Sequence, residues 1–509
     1  MTKKQTTVPD SSVGMDRPNV LLVVLDAVRP DHLSTYGYGR KTDPFLSTLA
    51  ENSLVFENAF ANSNWTPTSH AALFTGRLPS ETGVYGDTLT IPENYPTIPE
   101  RLSSAGYRTF GTAAGVHIRS GRGFERGFDA FHETFRIRPS ARFLRRALAD
   151  SEAVKQLVYS LVRGHDNYTY YKTERLKRWI GTDPGDDPFF AFVNFKTAHH
   201  PYDPPRPYKS LFSDVDRPPI DVIELLAEKL GREPQSLPEG DIDRVRRISQ
   251  EYPLIADTID PTDEELATVK AWYDGAIRYM DDRVADIVGH LREHGLLENT
   301  CVVVTADHGE QFGDHGLGKH RYSLYDELLR VPLVVRLPER TDIQASAEGQ
   351  SKDGTPVGKS VTRRSEMVSL IDLFPTIVNL AKAEFECPRF AEDLFSATDH
   401  EYLFAEVGRK PASPVRRHHT EFTDTPQNGP LQSVRDDSWK LIRRADDTQE
   451  LYNWREDTDE TTDLAATSSE VDRLASVLES SVTPLGDRIY DETVSDERLQ
   501  RQLEDMGYL

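Results

Sequence analysis

The sequence predicts an α/β fold in which helices flank a mixed, mostly parallel sheet of the doubly wound kind. Three short apolar runs support this prediction, at residues 19–25, 188–196 and 300–305. Apolar runs without polar alternation are typical of strands buried on both faces of a parallel sheet. Helical segments separate the runs, and strands that alternate with helices form such sheets.

The segments between these runs supply the remaining elements. Apolar spacing and capping residues predict helices at 43–54, 97–105, 166–180, 263–294 and 467–481. A further helix at 369–381 contains Pro375, which should kink it or start it. Two more strands are predicted at 107–113 and 331–337, and loops at 121–129 and 344–358.

The chain has 509 residues, which is too long for one small core. We expect a large α/β catalytic domain at 17–385 and a small α+β domain at 386–509. In the second domain, short runs bounded by turn residues predict an antiparallel sheet, with strands at 401–407, 431–435, 439–443 and 450–452. Residues 204–261 are rich in Pro, Asp, Glu and Arg, and we interpret them as an insertion that forms a lid or rim.

The amino-acid composition limits the kinds of molecule that the protein is expected to bind. The net charge of -23 argues against nucleic acid and against anionic membranes. Cys301 and Cys387 are the only cysteines, so no disulfide framework or thiolate zinc site is expected. The polar N-terminus and the lack of a long apolar run predict a cytoplasmic protein. The excess of acidic residues is spread along the chain, as is typical of proteins in salty water, such as a halophile's cytoplasm. Whether the chain forms a homo-oligomer is left open by the sequence.

The stretch from residue 64 to residue 76 is the most informative one. It predicts a loop that runs into a short helix, with Thr66 or Thr68 as N-cap, Pro67 just inside the start and Gly76 just past the end. A hydroxyl there faces unpaired backbone N–H groups and the positive end of the helix dipole, where a tetrahedral oxyanion can bind. An ordinary capped helix is the alternative interpretation.

Chemistry-bearing residues follow each of the three buried runs. Asp26 follows the first, Lys196 and His199 the second, and Asp307 and His308 the third. In open α/β sheets, ligands bind at the carboxyl ends of the strands. The loop at 306–320 also holds four glycines, which let backbone approach a ligand closely. Taken singly, a turn aspartate or an ordinary core histidine would explain each position.

Together, these groups suit metal-assisted attack on an anionic ester. A carboxylate with an imidazole suits a borderline divalent ion, which lowers the pKa of a bound nucleophile oxygen. A lysine and backbone N–H groups can hold the ester's outer oxygens. A histidine can then protonate the leaving oxygen.

At this level of detail the chain resembles the sulfatase family of the alkaline phosphatase superfamily over nearly its whole length. The order and spacing of several motifs carry the resemblance, at residues 19–26, 73–79, 199–202, 305–310, 318–319, 330–335, 371–376, 439–442 and 450–453. The resemblance implies an alkaline-phosphatase-like fold and a small C-terminal domain. It also implies a divalent metal ion as cofactor and a small anionic ester as substrate.

Site residues follow from the same resemblance. Metal ligands are expected at Asp26, Asp307 and His308, together with Thr66, which matches the nucleophile. Lys319 matches the lysine that contacts the sulfate, and His199 the leaving-group acid. We add His70 to the catalytic groups, and Lys196 and His320 to the substrate contacts.

Two departures from the family pattern matter for the chemistry. The family usually has Cys or Ser at the nucleophile, within Cys-x-Pro-x-Arg, and oxidises it to formylglycine. Here Thr66, Thr68 and His70 stand at the Cys, Pro and Arg positions. Because threonine cannot become formylglycine, that route is closed. The family's common Asp-Asp pair is Asp26-Ala27 here, so one metal ligand is missing.

Three functions remain open from the sequence. The first is a hydrolase that uses Thr66 and one divalent ion (Ca, Mn, Mg or Zn) to cleave a sulfate ester or a phosphate mono- or diester. The second is a phosphotransferase that passes the group from Thr66 to an acceptor. The third is a non-catalytic anion-binding protein that has kept the fold.

Overall fold

The computed structural model describes residues 17–85, 88–114, 117–134, 151–164, 166–181, 187–213, 262–320, 323–339, 362–396, 399–408 and 430–483. Within these ranges the strands are β1 Asn19–Leu25, β2 Leu54–Phe60, β3 Arg108–Ala114, β4 Ala130–Thr134, β5 Phe189–Phe195, β6 Thr300–Thr305, β7 Gln311–Phe312, β8 Gly318–Lys319, β9 Arg330–Arg336, β10 Thr362–Ser369, β11 Leu403–Val407, β12 Leu431–Arg435, β13 Lys440–Arg444 and β14 Gln449–Tyr452. The α-helices are α1 Pro44–Ala50, α2 Thr66–Thr75, α3 Pro79–Thr82, α4 Ile98–Ser104, α5 Ser151–Arg163, α6 Thr169–Gly181, α7 Asp263–Glu293, α8 Asp326–Leu329, α9 Leu373–Leu380 and α10 Glu470–Ser481.

The central sheet has eight strands in the order β10-β2-β9-β6-β1-β5-β3-β4. Strand β9 runs antiparallel to β2 and β6, and every other neighbouring pair in this sheet is parallel. The predicted mixed, mostly parallel sheet is therefore confirmed. All seven residues of β1 and of β5 are buried, as continuous apolar runs require.

Strand register explains why the site residues meet. Strand β1 lies between β5 and β6, with Leu25 opposite Phe195 and Val24 opposite Thr305. Continued along the chain, that register puts Asp26 level with both Lys196 and Asp307. The three polar residues thus leave one edge of the sheet side by side.

Three strands of this sheet, β2, β10 and β4, were missed by the sequence reasoning. The predicted helix at 43–54 ends at Ala50, and Leu54 instead begins β2. Glu57 and Asn58 interrupt the apolar run of β2, so it does not read as a buried strand. Strand β10 lies at the sheet edge, and only its last three residues are buried. Strand β4 and helix α5 were likewise not predicted.

Helix α7 is the longest helix among the described residues and matches its prediction closely. Its start is fixed by a capping box, in which Thr262 Oγ1 accepts from Glu265 N at 3.3 Å and Glu265 Oε2 accepts from Thr262 N at 2.8 Å. Its middle is buried on every side, from Ala271 to Ile277. The helix brings Tyr273 to the loop that follows β1.

The C-terminal strands form the predicted antiparallel sheet, in the order β11-β12-β13-β14. An apolar cluster joins Ala72 of α2 and Ile371 to Val434, Leu441 and Leu474 of the second sheet and α10. The sheet therefore packs against the helix that begins at Thr66. The domain boundary at 385/386 stays a prediction.

A buried ion cluster, which we call the seam, joins the second sheet to helix α8, which directly precedes β9 of the first sheet. Lys440 Nζ lies 2.6 Å from Asp326 Oδ1 and 2.7 Å from Glu460 Oε1. Arg435 Nη1 donates to Asp326 Oδ2 at 3.1 Å. Although burial opposes ionisation, the two cations hold the pKa of Asp326 well below its usual range.

Two predicted segments lie largely or wholly outside the described residues. These are the insertion at 204–261, of which residues 204–213 are described, and the loop at 344–358. None of the described helices has both the length and the apolar character needed to cross a membrane.

Candidate active site

Three buried side chains from two neighbouring strand ends form a compact cluster, which we call the carboxylate site. It consists of Asp26 after β1 and of Asp307 and His308 after β6. Their potential ligand atoms lie within 4.8 Å of one another. Asp26 is 1% exposed and the other two are fully buried.

Thr66 lies beside the carboxylate site, on the first residue of α2. Its Oγ1 is 3.2 Å from His308 Nε2. The prediction that Thr66 or Thr68 caps the helix is wrong, because Trp65 is the N-cap and makes no side-chain cap. The Thr66 hydroxyl points to His308 rather than to the backbone of its own first turn. Pro67 inside the start and Gly76 at the end, with φ 68°, are as predicted.

The ring of His308 is held in one orientation. Its Nδ1 donates to Gly309 O at 2.8 Å, so the neutral ring keeps its lone pair on Nε2. That nitrogen faces Thr66 Oγ1, and it lies 3.6 Å from Asp307 Oδ2 and 3.9 Å from Asp26 Oδ1. An imidazole fixed in this way is ready to bind a cation.

The two carboxyls of the site have pKa values shifted in opposite directions. Burial, together with the charge of Asp307, raises the pKa of Asp26 to about 6. Burial also opposes ionisation of Asp307, but His308 and His70 outweigh it and lower the Asp307 pKa to about 2. Of the two carboxyls, Asp26 is therefore the one that takes up a proton more readily.

The donor set fits a divalent cation. Among the described residues, Asp26 Oδ1 and Asp307 Oδ2 are buried and make no hydrogen bond. Buried carboxylate oxygens are costly unless they are paired or bind a metal. Two carboxylates and an imidazole, beside the hydroxyl of Thr66, are suitable ligands for Ca, Mn, Mg or Zn.

Tyr273, which the sequence reasoning missed, holds the turn after Asp26. In this turn Ala27 has φ 63°, in the left-handed region. Its N–H donates to Asp307 Oδ1 at 3.2 Å. The Tyr273 hydroxyl donates to Ala27 O at 2.7 Å and accepts from Arg29 N at 2.9 Å. No local signal distinguishes Tyr273 from an ordinary core residue of α7.

His70 lies one turn after Thr66 and faces the protein interior. Its Nδ1 is 2.9 Å from Thr66 O and 3.4 Å from Asp307 Oδ2. Its ring packs edge-on against Phe74 and Phe192. The side chain is fully buried, and its polar contacts in the described part of the chain are with the backbone of Thr66 and with Asp307.

A group of three imidazoles, which we call the histidine site, adjoins the carboxylate site. It consists of His199, His200 and His320, whose potential ligand atoms lie within 4.8 Å of one another. The rings of His320 and His308 are 4.4 Å apart between centroids. Burial, with Lys196 and His320 adding to it, holds the pKa of His199 well below its usual range.

The two predicted lysines lie close in sequence to these histidines, Lys196 before His199 and Lys319 before His320. Lys196 follows β5, and its charge is close enough to lower the pKa of Asp26. Lys319 is buried on β8, opposite Gln311 of β7. Its charge acts on Glu310, whose pKa burial nevertheless raises to about 8.

Glu310 is a second site residue that the predictions did not include. One of its carboxyl oxygens, Oε1, lies 3.0 Å from His320 Nδ1. The carboxyl is fully buried and also interacts with the Tyr202 hydroxyl. The acid-rich loop after β6 was the available signal, but it does not distinguish Glu310 from Asp307 or Asp314 in the same loop.

Comparison with known proteins identifies the family. A sequence model of the sulfatase family matches residues 18–383, which is more than half of the chain. The chain belongs to the sulfatase family. The resemblance inferred from the motifs is therefore confirmed.

Individual sulfatases and a related structure are similar over most of the chain. Iduronate 2-sulfatase of Mus musculus is 26% identical over 72% of this chain and 69% of its own length. Choline-sulfatase of Rhizobium meliloti (strain 1021) is 24% identical over 88% and 82%. The crystal structure of a phosphonate monoester hydrolase of Agrobacterium radiobacter superposes with a TM-score of 0.66 at 22% identity, over 91% and 94%. That structural likeness shows a shared fold, and sulfatase membership supports an ester hydrolase of the sulfuric or phosphoric class.

Proposed function

We propose that this sulfatase-family chain hydrolyses a phosphoric ester, a mono- or diester, with Thr66 as its nucleophile. The supporting observation is the 3.2 Å distance from Thr66 Oγ1 to His308 Nε2, within the carboxylate site. A threonine oxygen suits phosphoryl transfer, which requires mainly positioning and neutralisation of charge. The sulfatase route through formylglycine is closed to this residue.

Asp26, Asp307 and His308 would hold a divalent cation, with Thr66 as a further oxygen ligand. When bound, that cation would lower the pKa of the threonine hydroxyl and offset the negative charge of the ester. His70 positions the nucleophile, because it binds the carbonyl of Thr66 and lies beside Asp307.

The reaction then has two displacement steps. The Thr66 hydroxyl releases its proton to solvent, and its oxygen forms a bond to phosphorus while the bond from phosphorus to the leaving oxygen breaks. Lys319 and Lys196 supply positive charge for the outer phosphoryl oxygens. Water next attacks the phosphothreonine, which releases phosphate, or a phosphate monoester if the substrate is a diester, and restores the hydroxyl.

His199 would give its proton to the leaving oxygen. Its Nδ1 donates to His200 O at 2.9 Å, so the transferred proton has to come from Nε2. In the ligand-free protein the pKa of His199 is held low, mainly by burial. The negative charge of a bound ester raises the pKa of a nearby imidazole and so favours the second proton.

A sulfate ester is the second candidate substrate, because the family and the relatives named above are sulfatases. On this chain a sulfo-threonine intermediate would form and would be slow to hydrolyse. We therefore expect phosphate esters to be turned over faster than sulfate esters of the same leaving group.

The test is turnover of an aryl phosphate, a bis-aryl phosphate and an aryl sulfate with Ca, Mn, Mg or Zn. We expect T66A to lower kcat by about 10³-fold or more, and T66S to stay within about tenfold of the unmodified protein. T75A is the matched control, because Thr75 Oγ1 only donates to Ala71 O at the far end of the same helix.

The intermediate can be observed directly. Acid quenching during turnover, followed by peptide mass spectrometry, should find one phosphoryl group on Thr66. Full activity of T66A would exclude Thr66 as nucleophile. No turnover of any ester with any of the four metals would instead support a non-catalytic anion-binding protein.

A further inference from the structure

We propose that His199, His200 and His320 form a second cation site, selective for zinc-like ions, beside the carboxylate site. Their potential ligand atoms come within 4.8 Å of one another. Three nitrogens bound to one Zn²⁺ lie roughly 3.3 Å apart, given the usual Zn–N distance and tetrahedral geometry. Small side-chain rotations would therefore bring all three rings onto a single ion.

Two of the three rings are already oriented by hydrogen bonds. His199 Nδ1 donates to His200 O at 2.9 Å, which leaves the lone pair of the neutral ring on Nε2. His320 Nδ1 lies 3.0 Å from Glu310 Oε1, a carboxylate–histidine pair of the kind that orients zinc ligands. His199 and His320 are buried at 8% and 4% exposure, so their positions are constrained by packing.

The chemistry of the donors separates the two sites. Three neutral imidazoles suit Zn²⁺ or Co²⁺, whereas Ca²⁺ and Mg²⁺ prefer carboxylate and carbonyl oxygens. The carboxylate site can take an ion of either kind. A zinc bound by three histidines also keeps an open position for a fourth ligand, as catalytic zinc sites do.

This inference does not rest on the proposed function, and it changes how His199 would act. An imidazole nitrogen cannot hold a leaving-group proton and bind a cation at the same time. With calcium alone, His199 is available as the acid; with zinc in both sites, it is a ligand. The two sites are adjacent, because the rings of His308 and His320 are 4.4 Å apart.

The experiment counts bound ions on tag-free, full-length protein, by elemental analysis after gel filtration and by titration calorimetry. We expect two Zn²⁺ but one Ca²⁺ per chain. H200N should bind one Zn²⁺ and still one Ca²⁺, and the Ca²⁺ value confirms that the variant is folded. D26N should lose the Ca²⁺ and keep one Zn²⁺. In D26N, Co²⁺ should give the visible spectrum of a nitrogen-ligated, low-coordinate ion.

A surface pair provides the matched control. His290 and His294, on or next to the last turn of α7, have ring centroids 4.0 Å apart and could bind zinc adventitiously. H294N should leave the zinc count at two. A single zinc in the unmodified protein, or two in H200N, would overturn the second site. Absence of hydrolysis with one calcium ion bound, when His199 is available as the acid, would count against the proposed function only.

Discussion

Replacing Tyr273 by Phe removes one hydroxyl from the turn that carries Asp26. That hydroxyl donates to Ala27 O at 2.7 Å and accepts from Arg29 N at 2.9 Å. The substitution keeps the ring that packs in the core. It therefore tests whether a residue 247 positions after Asp26 in the sequence holds the candidate metal ligand in place.

The expected magnitude follows from the two backbone groups that lose their partner. Ala27 is fully buried and Arg29 is 8% exposed. An unsatisfied buried backbone group costs about 1–3 kcal/mol, so the two together should lower the free energy of unfolding by about 2–6 kcal/mol. A loosened turn should also weaken cation binding about 10–100-fold, as the loss of an outer-shell partner does.

The assay pairs urea unfolding in the presence of a chelator with calorimetric titration of Ca²⁺ or Mn²⁺. Y279F is the matched control, because its hydroxyl also lies on α7 and donates to Asp166 Oδ2 at 2.7 Å. It should lose stability but bind the cation normally. If the free energy of unfolding of Y273F lies within about 1 kcal/mol of that of the unmodified protein, or if Y273F binds cations as tightly as Y279F, then Tyr273 does not support the turn.

Three other outcomes are expected. D26N should weaken cation binding at least tenfold, and chelation should abolish hydrolysis until a divalent ion is returned; hydrolysis that survives the chelator would argue against metal dependence. G309A should lower the melting temperature, because an added Cβ would lie 1.9 Å from Glu327 O; an unchanged melting temperature would mean that the loop yields easily. K440M should lower the free energy of unfolding by about 3–5 kcal/mol, because it leaves buried carboxylates of the seam without their cation. The double variant K440M/E460Q should recover part of that stability in urea unfolding. No recovery would show that the unpaired Glu460 carboxylate is not the cause of the loss.

The sequence was most informative where the structure is most buried. Strands β1 and β6 begin and end at the predicted residues, because a strand covered on both faces leaves a continuous apolar run. The parallel pairing then brings Asp26 and Asp307 to one edge, as expected from the chain order alone.

What the sequence could not supply depends on contacts between distant segments. Strand β2 mixes polar and apolar residues because its neighbours, not its own pattern, decide its burial. The N-cap prediction for Thr66 failed because the hydroxyl is oriented by His308, 242 residues away. Tyr273 carries no local signature, and the charged loop around Glu310 does not single it out; only their partners in the fold reveal what the two residues contact.

The seam also affects how this chain could be recombined with relatives. Asp326, at the start of α8, forms ion pairs with Lys440 and Arg435 of the second sheet, and its N–H donates to Glu460 at 2.8 Å. A chimera that imports the C-terminal part of another sulfatase would replace three of these four partners at once. The graft should therefore carry residues 323–329 with it, and substitutions at Asp326 and Lys440 should be selected in pairs.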